Sequence, residues 1–133
     1  PLNANLTIGF PAVTAAGGGV ESVNFTTAET LQGASAGENI DETVVATGSQ
    51  GSIPTYTFNS VTNTGNSNGI TGTQITVTGN QISGIAPRLF NAATYSFSFQ
   101  ASINAGAQTN NKTFTLLISQ DNTCISPTNN ICT

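Results

Sequence analysis

Apolar residues in this chain recur at every second position, and no window repeats them at the three-and-four spacing of a helix. The clearest run is residues 2 to 10, where Leu2, Ala4, Leu6, Ile8 and Phe10 alternate with Asn3, Asn5, Thr7 and Gly9 until Pro11 stops it. Such a pattern buries one face of a strand and wets the other. Further strands are expected at 20–27, 43–47, 55–61, 70–77, 80–83, 93–103 and 111–119, while residues 33–42 read as loop. Gly- and Asn-rich clusters separate the runs, and the sharpest turn is Gly79-Asn80, set between Thr76-Val77-Thr78 and Gln81-Ile82-Ser83. Short strands in this number, without helices, predict an all-β antiparallel sandwich, with a barrel as the alternative. Its core is expected from Tyr95, Phe97, Phe99 and Ala101 facing Phe114, Leu116 and Ile118, with Tyr56 and Phe58 against them.

Composition then narrows the function. The 133 residues suit one domain, and only 6% of them are charged, giving a net charge of −4. Arg88 and Lys112 are the two basic residues, too few to neutralise a run of phosphates, so nucleic acid is not an expected partner. The chain has no His, which removes the commonest general base and the usual zinc ligand. We therefore expect neither catalysis nor a cofactor. With 37% hydrophobic residues the chain is apolar enough to fold, and Ser, Thr and Asn, more than a third of all positions, must supply a hydroxyl and amide surface in place of charge. No run approaches the ~18 apolar residues of a membrane helix, so membrane insertion is not expected. The first twenty residues lack the basic start and apolar block of a signal peptide, and Pro1 suits removal of an initiator Met better than a signal-peptidase cut.

The stretch 53–119 carries a series of motifs: Thr55-Tyr56-Thr57-Phe58, then Val77-Thr78-Gly79-Asn80-Gln81-Ile82-Ser83-Gly84-Ile85-Ala86-Pro87, then Ala93-Thr94-Tyr95-Ser96-Phe97-Ser98-Phe99-Gln100-Ala101, and last Lys112-Thr113-Phe114-Thr115-Leu116-Leu117-Ile118. In this order they resemble the Ig-like, cadherin-like β-sandwich family found in bacteriophage virion proteins and bacterial surface proteins. The resemblance singles out Gly79, Asn80, Ile82, Gly84 and Pro87 as the family's hairpin. It implies a rigid spacer, adhesion module or coat decoration rather than an enzyme. The chain departs from the family's pattern in having Ser102-Ile103-Asn104 where an Asp is usual, and in the longer insert Arg88-Leu89-Phe90-Asn91 after the proline.

Outside that stretch four features are candidates for function. Glu38, Asp41 and Glu42 cluster in sequence, but without a calcium-loop spacing they read first as a solvated loop. Crowded on one segment, they are also poorly placed to flank a sugar. Cys124 and Cys132, eight apart, can close a disulfide or remain two thiols, and two residues do not make a zinc site. The sequons at Asn5, Asn24 and Asn111 are no more than chance supplies at this composition.

The fourth feature is the segment 2–10, followed by the glycine hinge Gly17, Gly18 and Gly19. It can be the sandwich's own first strand, or an assembly arm in which Leu2, Leu6, Ile8 and Phe10 fill a neighbouring copy.

The expected organisation is an arm, hinge and second strand over 1–42, the sandwich over 43–119 and a tail over 120–133. The expected role is a structural protein of a bacteriophage particle, decorating capsid or tail, with other copies of itself or other virion proteins as partners. The alternative is a subunit of an extracellular prokaryotic filament or adhesin joined by strand donation. A carbohydrate-binding module, making weak glycan or cell-surface contacts, is disfavoured by the lack of Trp.

Overall fold

The computed structural model describes residues 20–64 and 74–132. The arm residues Leu2, Leu6, Ile8 and Phe10 and the hinge Gly17, Gly18 and Gly19 lie outside the described residues. Within them the strands are β1 (Val23–Phe25), β2 (Asn39–Thr43), β3 (Ala46–Gly48), β4 (Thr55–Thr64), β5 (Gln74–Thr78), β6 (Gln81–Ile85), β7 (Ala93–Ile103), β8 (Gln108–Ile118), β9 (Pro127–Thr128) and β10 (Ile131–Cys132).

Strand β7 alternates without a fault over its 11 residues: Ala93, Tyr95, Phe97, Phe99, Ala101 and Ile103 are buried, and the residues between them are half-exposed. It pairs antiparallel with β4 on one side and with β8 on the other, from Ala93↔Ile118 to Ile103↔Gln108. A second antiparallel sheet has the order β2-β6-β5. Ile40, Ile75 and Ile82 of that sheet share one buried cluster with Tyr95, Phe97, Phe99, Phe114, Leu116 and Ile118 of the first. The two sheets therefore close on a common core, as two half-wetted antiparallel sheets must. Within the first sheet Phe58, Phe97, Phe99 and Phe114 pack on its core face as tilted and edge-on ring pairs, with centroids 5.4 to 6.4 Å apart.

At one end the strand begun by β2 carries on through Val44 and Val45 into β3, which changes partner and pairs with β1. Val23, Ala46, Ala101 and Ile103 form a smaller buried cluster there. The Tyr56 hydroxyl ties the sheets together: it accepts from the Ala46 N–H at 2.8 Å and donates to the Ala46 carbonyl at 3.3 Å. Chain 29–34 then crosses to the other sheet and runs parallel to β8, with Leu31 N–H donating to Thr115 O and Ala34 N–H to Leu117 O.

Three segments differ from the sequence reading. Residues 39–42, expected as loop, form β2 together with Thr43, because Ile40 alone points into the core while the ladder to β6 holds the polar remainder. Residues 20–42, set apart from the sandwich in the expected division, contribute Val23, Leu31, Ala34 and Ile40 to the buried clusters. The tail carries a small hairpin, β9 to β10, where only turns were read.

The outer face of the β4-β7-β8 sheet explains how the chain does with little charge. Rows such as Thr57, Gln100, Asn111 and Ser60, Ser98, Thr113 lie across it. Their side chains bond one another, as between Gln100 Nε2 and Asn111 Oδ1 at 3.3 Å and between the Thr55 and Ser102 hydroxyls at 2.9 Å.

Phe97 lies fully buried between Phe58 and Phe114, so Phe97→Ala should lower the unfolding free energy by about 3–5 kcal/mol in a urea titration.

Candidate functional site

The motif hairpin is built as its sequence requires, and its residues do structural work. Gly79 has φ +60 and joins Thr78 to Gln81 through a two-residue turn, the pattern of a hairpin with Gly at the first central position. Asn80 faces Val44 on the strand next door: its carbonyl accepts from Val44 N–H at 2.8 Å, and its Nδ2 donates to Val44 O at 2.8 Å. Ile82 is fully buried, and Gly84, at φ +135, sits in the middle strand between Ile40 and Ile75. Pro87 follows Ala86, whose N–H donates to Glu38 O and ends the β2–β6 ladder.

The cluster of carboxylates does not converge. Asp41 and Glu42 are neighbours on a strand and point to opposite faces, Asp41 taking a hydrogen bond from Gln81 Nε2 at 2.7 Å. Glu38 accepts from the Ser35 N–H at 2.6 Å, closing its own turn. They border an open cleft of about 450 Å³ between segment 32–34 and β2. Among the described residues no three of His, Cys, Asp or Glu come together as a metal site would require.

Cys124 and Cys132 are joined, with Cα atoms 5.7 Å apart. The bridge closes a hairpin docked on the segment Arg88 to Asn91. Cys132 N–H donates to Arg88 O, Phe90 N–H to Asn130 O and Asp121 N–H to Leu89 O. The Asn130 side chain adds two bonds to the Asn91 backbone. Leu89 is fully buried beneath the hairpin. In the sequence the cysteines and the segment 88–91 stand more than thirty residues apart. The signal joining them is the isolated pairing of Leu89 with both Gln120 and Ile131, which has no local signature.

Asp121 locks this arrangement. Hydrogen bonds from the Thr123 hydroxyl, from Arg88 Nε at 2.6 Å and from the Thr123 N–H hold its carboxyl down from 3.8 to about 2. A depressed carboxyl stabilises the fold above its ordinary value and loses that contribution as the pH falls through the folded one.

The flanks of the molecule differ in charge. Five of the six acids, Glu21, Glu29, Glu38, Asp41 and Glu42, precede residue 43, and the next charged residue is Arg88. The side formed by β1, segment 29–34, β2 and β8 therefore carries those acids together with Lys112, whose Nζ donates to Thr27 O at 3.0 Å. The opposite flank, formed by β4 and β5, has no charged residue. Among the described strands β4 has β7 as its one sheet neighbour and β5 has β6. Phe58, Val61 and Val77, which face inward on these strands, are only partly buried.

Two outcomes follow. Asn80→Ala removes the donor that satisfies the carbonyl of fully buried Val44, and should cost about 1–3 kcal/mol by thermal or urea unfolding. As the pH falls from about 4 through about 2, Asp121 should progressively take up its proton and loosen its hold on the C-terminal hairpin, read as lower amide protection at Cys124, whose N–H donates to Asp121 O, before the β7 amides change. No family model matches the chain, and no curated protein and no solved structure matches it either.

Proposed function

We propose that the chain is an Ig-like sandwich serving as a non-enzymatic structural protein of a bacteriophage particle, on capsid or tail, that assembles through strand and arm contacts with copies of itself or with other virion proteins. Its strand order supports the Ig-like reading. The β1-β3 pair, continued through β2 to β6 and β5, corresponds to the ABED sheet of that fold, and β4, β7 and β8 correspond to CFG. The motifs in 53–119 fall on these strands in the same sequence.

The observation that carries the assembly reading is the uncharged flank. A free edge strand is a template for another chain, and monomeric proteins commonly guard such edges with Lys or other charges. Here β4, the last described strand of its sheet, is ten residues long and carries none. Glu38 is bonded within its own turn, Asp41 to Gln81 on the next strand and Asp121 to Arg88, so these carboxylates do not converge, which supports a role without catalysis.

A second reading, a subunit of an extracellular prokaryotic filament or adhesin, is favoured by the Cys124–Cys132 bridge, since disulfides persist in oxidising surroundings. Density-gradient fractionation of a producing culture separates the two. An immunoblot should find the chain banding with nucleic-acid-containing particles. Recovery with sheared surface filaments would favour the second reading, and recovery only as free protein would overturn both.

A further inference from the structure

We propose that the Cys124–Cys132 bridge is the catch of a clasp on segment 88–91, and that thiol–disulfide exchange with a small thiol of the glutathione kind opens one jaw of the clasp while the sandwich stays folded. Either of the two roles above is compatible with such a device.

Segment 88–91 lies between two stretches of chain. On one side Leu89 is bridged in parallel to Gln120, and its carbonyl accepts from the Asp121 N–H at 2.7 Å. On the other it is bridged antiparallel to Ile131, with Cys132 N–H donating to Arg88 O at 2.9 Å and Phe90 N–H to Asn130 O at 3.0 Å. The Asn130 side chain bonds both backbone groups of Asn91, at 2.7 and 2.8 Å. The disulfide joins the two sides, and Leu89 between them has no solvent exposure.

The jaws are anchored unequally. The first continues β8 by way of Ser119, whose N–H donates to Ala34 O at 3.0 Å. Asp121 fastens it further, its carboxylate accepting from Arg88 Nε at 2.6 Å and from the Thr123 hydroxyl and N–H. The second jaw, Asn130 to Cys132, is joined to the first through residues 125–129, all exposed, and through the bridge. Ile131 gives it a partly buried contact with the core, and the bonds named above hold it to 88–91 between uncharged groups, which contribute less than charge-assisted ones.

The bridge therefore acts on the second jaw. It spans a sequence separation of 8, so a released jaw still tied by it gains few conformations, whereas the same stretch without it is open chain. On the loop-entropy account a ring of that size shifts the balance of closed to open by about 50- to 100-fold. Cys124 is 6% exposed but Cys132 is only half-buried, which gives an incoming thiolate a place to begin. Two thiols of the reductant then join in a disulfide, giving up two electrons and two protons, and the Cys124–Cys132 bond breaks to two thiols that take them up. A small-molecule disulfide runs the exchange backwards and recloses the catch. Reducing surroundings thus weight the clasp towards open and oxidising ones towards closed.

The test uses the oxidised full chain at neutral pH in a large excess of reduced glutathione, with free thiols counted and amide exchange followed residue by residue. Once both thiols are free, protection at Phe90, Asn91 and Cys132 should fall by about 50-fold or more, while Asp121 and the β7 amides keep theirs. Oxidised glutathione should restore what was lost. Cys132→Ser, which has no bridge to make, should show the opened pattern with either form of glutathione, and if that variant melts too early to read, reduction of the unsubstituted chain decides alone. A bridge left intact by the excess thiol would overturn the proposal, as would a reduced chain whose Phe90 and Cys132 amides stay protected. Equal loss at Asp121 would deny that one jaw opens by itself, and loss across β7 in step with Cys132 would make the bridge a staple of the whole fold; either result overturns the clasp.

Discussion

The structure depends on the burial of one face of one strand. Strand β7 has a partner on each side and places Tyr95, Phe97 and Phe99, each without solvent exposure, at the centre of the main cluster. A slip of one residue in its register would turn all of them outward. Every other strand of both sheets is positioned by what it can place against that row, from Phe114 and Leu116 on β8 to Ile40 and Ile82 across the core. Few charges are needed because the reverse faces are satisfied by hydroxyls and amides bonding along the sheet. The price falls at the edges, where a neutral strand has nothing to repel another.

What could be read from the sequence follows from how local each signal is. β7 and β8 alternate over many residues, so their existence, facing and mutual packing were legible. The hairpin at Gly79 was legible because a single residue there must take positive φ, which glycine does without strain. β2 was not, since among its five residues only Ile40 is both apolar and inward, and its strand character comes from pairing with β6 some forty residues on. The parallel run of 29–34 beside β8 left no trace either: Leu31 and Thr115 are far apart in the chain, and a parallel partner imposes no turn between them.

For the candidate site the contrast is similar. The cysteine pair was visible as a pair, but not what it fastens, because the docking insert lies more than thirty residues upstream of its partners, as Arg88 does of Asp121. The uncharged run from Thr43 to Pro87 stood in the sequence in plain view. Its meaning appeared only when the topology set β4 and β5 on one flank and the acids on the other. A count of charges says how soluble a chain is, whereas their placement says which side of it other chains can approach.

The two basic residues also bear on durability. A protease that cuts after Arg or Lys has only two targets in the whole chain, and both lie in paired backbone. The bond after Arg88 leads into fully buried Leu89, and the Arg88 carbonyl is held by Cys132 N–H. The bond after Lys112 lies within β8, with the ammonium tied to Thr27 O and set 5.3 Å from the Phe114 ring. Cleavage at either must wait for the hairpin or the sheet to open. The scarcity of charge that leaves β4 and β5 without an ion also leaves such enzymes almost nothing to recognise.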